Sequence, residues 1–164
     1  MKVINRLISE MISYYSGDPK RIQHFIKVHA FAKLIGETEN LTEKELFTLE
    51  TAAVVHDIGI KISEEKYGSC TGSQQETEGP PEAEKMLEKL GFESETVKRV
   101  CWLVGHHHTY SGIDSPDHQI LVEADFLVNL YEDRCSEKSV ISAYEKIFKT
   151  ETGKRFCKTM FGIK

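Results

Sequence analysis

The chain has 164 residues, 40% hydrophobic and 29% charged, which suits one domain with a core that needs no disulfide staples and excludes the composition of a disordered segment. A formal net charge of -5, with Lys154, Arg155 and Lys158 as the only dense basic cluster, argues against duplex nucleic acid as a partner, because such binding rests on many Lys and Arg side chains neutralising phosphates. Cys70, Cys101, Cys135 and Cys157 lack paired CxxC spacing, Met1 to Tyr15 is broken by Asn5, Arg6, Ser9, Glu10 and Ser13, and no stretch has the length of a membrane span, so the expected location is the cytoplasm, away from any bilayer.

Val3, Ile4, Leu7, Ile8, Met11 and Ile12 recur at three-to-four spacing and predict an amphipathic helix ending near Gly17. Asp18-Pro19 restarts the chain as N-cap and first helical residue of a second helix running to about Gly36. Thr42 with Glu45 forms a capping box for a third helix, which carries Leu46, Leu49, Ala53 and His56 on one face and stops near Gly59. Residues 67 to 81 combine glycines, polar residues and two prolines, and read as one long loop of the kind that often forms a lid. Pro80 and Pro81 then open a helix through Leu90, ended by Gly91, and Glu93 to His106 gives the next. Ser115-Pro116 starts a helix carrying Ile120, Leu121, Ala124, Phe126, Leu127 and Leu130; Ser136 caps another to about Phe148, and Glu151 to Phe161 is the last. No alternating run argues for a sheet, so the expected class is all-α, about seven or eight helices in a single domain over residues 1–164.

Two adjacent ionisable residues, His56 and Asp57, end the apolar face of the third helix. Burying an ionised carboxylate there costs several kcal/mol unless it is paired or metal-bound. Either Asp57 accepts backbone hydrogen bonds at the next turn beside an ordinary core imidazole, or it has a ligand. His24 shares a helical stripe with Val28, Ala32 and Ile35, and Asp125 lies among Leu121, Val122, Phe126 and Val128. Three helices that each turn ionisable groups toward the interior are poorly explained as separate accidents. Two imidazoles and two carboxylates make a mixed N/O set suited to Mn, Fe, Co, Ni or Zn, with positions left for water and substrate.

These residues resemble the HD-domain superfamily of metal-dependent phosphohydrolases, whose pattern is a His, an adjacent His-Asp and a distant Asp. Here the pattern falls on Arg21-Ile22-Gln23-His24, on His56-Asp57-Ile58-Gly59 and on Glu123-Ala124-Asp125 with Leu127. The resemblance covers roughly residues 19–131, with helices 136–161 expected to pack on that core. It implies an all-helical fold and a metal held by His24, His56, Asp57 and Asp125 that polarises a phosphate ester and acidifies a bound water. Some two-metal members carry further His ligands, one of them ahead of the helix that is expected here from Pro80. This chain has Gln75, Glu76 and Glu78 in that place, so one ion is expected, with a second left open.

His106, His107 and His108 lie at the end of the fifth predicted helix; consecutive helical residues point about 100° apart, so one or two of them can face one ion. They also fit a polar helix end beside the C-terminal dipole. Asp57, Lys61 and His107 are the expected catalytic residues, and Lys61, Arg21, His106 and Glu78 the expected substrate contacts. Lys61 is similar to a lysine that many members carry just beyond the His-Asp pair. Glu76 and Glu78 fit either a water-positioning role or solvated loop acids, while Tyr67 and Tyr110 fit base stacking or the edge of the core. The pocket is expected beside Lys61 and the His cluster, beneath residues 67–79. The implied reaction is hydrolysis of a nucleotide or another small phosphate ester. A di-iron oxygenase and a non-catalytic metal or nucleotide sensor are the alternatives, and the sequence does not specify the oligomeric state.

Overall fold

Capping is where the sequence and the fold meet first. In the computed structural model of the protein, which describes residues 2–113 and 115–164, the Asp18 carboxylate accepts the Arg21 amide at the start of α2 (Pro19–Thr38). Thr42 and Glu45 cap each other at the start of α3 (Glu43–Val55). Each cap satisfies amides that the first helical turn leaves without partners, which is worth about 1 kcal/mol. The N-terminal helix is α1 (Val3–Tyr14), which buries Leu7 and Met11.

The described residues form nine helices, one or two more than the sequence pattern predicts. The extra one is α4 (Gly59–Tyr67), which restarts after a tight turn at His56, Asp57 and Ile58 and ends at Gly68, where φ is +67°. The larger correction concerns residues 67 to 81. The loop is confined to the few residues before α5 (Gly72–Lys89), and Pro80 and Pro81 lie inside that helix instead of opening it. Thr71 and Gln74 form a capping box at its start, and Gln75, Gly79, Ala83 and Leu87 bury one stripe at four-residue spacing. Pro lacks an amide and disfavours helix interiors. Here the cap and the buried stripe outweigh the two missing donors.

The remaining helices are α6 (Ser94–Val104), α7 (Pro116–Glu132), α8 (Glu137–Lys146) and α9 (Glu151–Phe161). Helix α2 packs between α3 and α7, and α5 packs between α4 and α6. Phe25, Val28, Ala32 and Ile35 of α2 meet Leu49, Ala52 and Ala53 of α3 and Ile120, Leu121, Ala124 and Leu127 of α7 in one continuous core. Full burial of each larger aliphatic side chain stabilises the fold by about 1.5–3 kcal/mol. Glu123, fully buried on α7, ties down the C-terminal helices: it accepts from the Lys149 and Thr150 amides, the Thr150 hydroxyl and the Gln119 side-chain amide. No helix among the described residues is long and apolar enough to cross a membrane.

Candidate metal centre

The period of α2 turns His24 inward with Val28 and Ala32, the end of α3 delivers His56 and Asp57, and the buried stripe of α7 delivers Asp125. Their donor atoms converge. His24 Nε2 stands 3.1 Å from Asp125 Oδ1, 3.2 Å from His56 Nε2 and 3.3 Å from Asp57 Oδ2. His56 Nε2 stands 3.4 Å from Asp57 Oδ2 and 3.6 Å from Asp125 Oδ1. Atoms about 2.1 Å from a shared ion lie about 3.0 Å apart at right angles and about 3.4 Å apart at the tetrahedral angle, so this donor set has the size of a transition-metal shell.

Proton placement points the same way. His24 Nδ1 lies 3.1 Å from Glu132 Oε2, and His56 Nδ1 lies 2.8 Å from the Ala53 carbonyl. Both partners are acceptors, so both Nδ1 atoms donate, and a neutral ring then carries its lone pair on Nε2. Two such lone pairs facing each other at 3.2 Å repel unless a cation or a proton lies with them. Lys27 bonds the other oxygen of Glu132 at 2.7 Å, and the Asn129 amide donates to Asp125 Oδ1 at 2.9 Å. Asp125, Asn129 and Glu132 thus form one face of α7, which supplies the converging carboxylate, its orienting amide and the carboxylate that fixes His24. Such outer contacts set ring orientation and raise ligand basicity. Sequence reasoning passes over Asn129 and Glu132, although stepping by four and then three residues from Asp125 reaches both.

A second set of missed residues acts from the C-terminal end of α1 and its cap. The buried Tyr15 hydroxyl donates to the Asp57 carbonyl at 2.7 Å, and the Tyr14 hydroxyl donates to the Ile58 carbonyl at 3.3 Å. Burial first, and Asp57 second, hold the Tyr15 phenol far above its usual range, so it stays protonated as a donor. The continuation of the Leu7 and Met11 stripe by four residues is the signal that could find it.

Burial alone would raise the carboxyls of Asp57 and Asp125. The charge of His56 outweighs burial at Asp57, as the bonds to His24 and His56 do at Asp125, and both stay well below the ordinary carboxylate range. Burial would lower the two imidazoles, yet the bond to Asp125 raises His24 and the charge of Asp57 raises His56. Without metal the rings therefore keep protons above the ordinary imidazole range, and an ion must expel them. Metal affinity should rise with pH above the ordinary imidazole range while the carboxylates remain ionised throughout. Titrations in buffers of different ionisation enthalpy would read the released protons, and a pH-independent affinity would contradict this proton placement.

Of the three consecutive histidines, two face inward. They lie in the turn after α6, not in the helix itself. His106 bonds the Trp102 carbonyl and stacks on the Trp102 ring at 4.0 Å, on the exposed side. His107 is buried, donates from Nδ1 to the Val104 carbonyl at 2.7 Å, and places Nε2, which has no hydrogen-bond partner among the described residues, 3.4 Å from Asp57 Oδ1. His108 bonds Gln75 Oε1 through Nε2 at 2.9 Å, and burial followed by the proximity of His107 pushes it down to about 4. Glu76 accepts the His108 amide and the Thr109 hydroxyl.

The structure does not bring Lys61, His106 or Glu78 to the centre. The Lys61 ammonium donates to the Tyr14 carbonyl at 3.1 Å and lies over the Tyr14 ring, because α4 turns that position toward α1. Glu78 is tied to Lys66 and to the Tyr67 hydroxyl. Tyr110 packs edge-on against Phe126. The cleft that reaches His24 and Asp57, with a volume of about 230 Å³, opens past Lys20, Arg21 and Asn129, on a different side from the one the sequence suggests. Arg21 lines it while paired with Asp18 and Glu64.

An all-helical chain that turns two imidazoles and two carboxylates from three elements onto one point presents a donor cluster consistent with metal binding. The chain belongs to the HD domain family, whose profile matches residues 21–142. A crystal structure described as a predicted HD superfamily hydrolase from an uncultured Thermotogales bacterium is similar at a TM-score of 0.66 and 23% identity, over 98% of this chain and 84% of that one. Comparison with curated proteins gives no significant match.

Proposed function

We propose that the protein is a metal-dependent phosphohydrolase acting on a nucleotide or another small phosphate ester. The observation that carries this reading is the convergence of His24, His56, Asp57 and Asp125, with both histidine Nδ1 atoms committed to protein acceptors and both Nε2 atoms left for an ion. The similarity to a predicted HD hydrolase supports the hydrolytic part of it. A divalent ion bound there would supply a Lewis acid for a phosphate oxygen and a water acidic enough to ionise near neutral pH. The chain's own groups do the rest. Lys20 and Arg21 at the rim of the cleft orient the phosphate, a contact the sequence expects of Arg21 as well as of Lys61, His106 and Glu78. His107, with Nδ1 bound to a carbonyl, has its Nε2 lone pair free to accept a proton from water beside Asp57. When water attacks phosphorus and the ester oxygen departs, that proton can pass to the leaving group.

The test is turnover after separate loading with Mn, Fe, Co, Ni and Zn, on a general phosphate ester and on nucleoside mono-, di- and triphosphates. Activity with at least one metal is expected. Arg21→Ala should raise KM severalfold, whereas Lys61→Ala should leave turnover and metal content within about twofold, as for a surface position. Stoichiometric metal with no hydrolysis of any ester would defeat the reading in favour of a sensor, and oxygen uptake by the iron form would favour an oxygenase.

A further inference from the structure

Asp57, His107 and His108 form a second group of neighbouring donors beside the first, with Asp57 common to both. Asp57 Oδ1 faces this side and Oδ2 faces His24 and His56. His107 Nε2 is buried and without a hydrogen-bond partner among the described residues, which makes the group look ready for a further cation. The third donor is engaged elsewhere.

Gln75 decides this through its own bonding. Its Nε2 donates to the Cys70 carbonyl at 2.9 Å, and a carbonyl can only accept, so the amide cannot be turned round without losing that bond. Its Oε1 is thereby directed at His108 Nε2, 2.9 Å away. An amide oxygen facing a ring nitrogen requires the proton on that nitrogen, so Nε2 of His108 is a donor and has no lone pair to offer. The other ring nitrogen, Nδ1, faces the Tyr110 hydroxyl at 3.4 Å. Glu76 fixes the same residue from behind by accepting the His108 amide at 3.0 Å. Turning the ring toward a metal would leave the Gln75 oxygen, in a side chain that is largely buried, without its donor. Two donors, Asp57 Oδ1 and His107 Nε2, are then too few for a stable transition-metal shell.

We propose that Gln75 is a positioning residue that holds His108 out of metal ligation and restricts this centre to one ion, leaving His107 Nε2 free for proton transfer. The proposal rests on the reading of His24, His56, Asp57 and Asp125 as the ligands of that ion. A histidine at position 75 reverses the constraint, since it removes the amide acceptor and adds an imidazole next to His108.

The experiment is metal stoichiometry, with manganese and separately with zinc, for the wild-type chain and for Gln75→His, each checked for helical content by circular dichroism. The wild-type protein should saturate at one ion per chain and Gln75→His at two. With manganese, two ions sharing Asp57 should show an exchange-coupled paramagnetic resonance spectrum in the variant and the pattern of an isolated ion in the wild type. Two ions in the wild-type protein would overturn the proposal, since the amide oxygen would then be a ligand, and so would a folded Gln75→His protein that stops at one. A wild-type protein that binds no ion would instead overturn the ligand assignment on which the proposal stands. The wild-type count decides by itself if the variant fails to fold.

Discussion

Asp57→Ala is expected to abolish stoichiometric metal binding while leaving the helices in place. Asp57 reaches donors on both sides of it: Oδ2 lies 3.3 Å and 3.4 Å from His24 and His56, and Oδ1 lies 3.4 Å from His107. Its removal takes away half of the anionic charge that Asp57 and Asp125 bring to a divalent ion. Losing an orienting contact outside the ligand shell typically costs 10–100-fold in affinity, so loss of a charged ligand should exceed about 100-fold. Elemental analysis after dialysis would read this directly. Thermal unfolding gives an independent measure. At free metal about one hundred times the dissociation constant, the wild-type protein gains about 2.7 kcal/mol by mass action, and the variant should gain nothing. Stoichiometric metal retained by Asp57→Ala would remove the residue from the ligand set.

The second large effect belongs to a residue that carries no chemistry. A Cβ on Gly59 would lie 2.8 Å from the Gln75 carbonyl oxygen and from the Gly79 amide nitrogen, and 2.9 Å from Gly79 Cα. All three are backbone atoms of α5, so no side chain can move aside, and α4 and α5 must separate. Alanine favours a helix over glycine by up to about 1 kcal/mol, but overpacking typically costs about 1–3 kcal/mol. Steric cost against rigid backbone should win. Gly59→Ala should therefore destabilise the fold by about 2 kcal/mol, read as a lower urea midpoint at unchanged m-value. Because Asp57 precedes Gly59 by two residues and Gln75 lies across the contact, metal affinity should fall as well. A variant as stable as the wild type would mean that the two helices are not held as close as their glycines allow.

The convergence of His24, His56, Asp57 and Asp125 was legible in the sequence because burial and ionisation conflict: they occupy apolar stripes where a charged group has no reason to be without a partner. The helices around them were legible through their period and caps. Helix α5 was not, because glycine and proline content hides a helix whose start depends on the Thr71 and Gln74 capping box and whose length depends on tertiary burial. That error carried Glu78 into a loop above the site, whereas in α5 it pairs with Lys66. Lys61 was misplaced for a related reason. Counting residues beyond Asp57 gives no direction until the new helical register at Gly59 is known. The His triplet was ambiguous as a helix end, and becomes definite only in a turn, where carbonyls of residues 102 and 104 orient His106 outward and His107 inward.

The tyrosine donors of α1 tie the first helix to the centre through main-chain atoms. The carbonyls of Asp57 and Ile58 lie where one helix has stopped and the next is only beginning, and side chains from far earlier in the chain occupy them. A transient undocking of α1 removes those donors at the same moment as it exposes Leu7 and Met11, so the turn that bears Asp57 loosens with the helix end. Fraying at the amino end and relaxation of the centre are in that sense a single cooperative opening. An occupied centre should accordingly slow amide exchange in a helix that contributes no ligand at all.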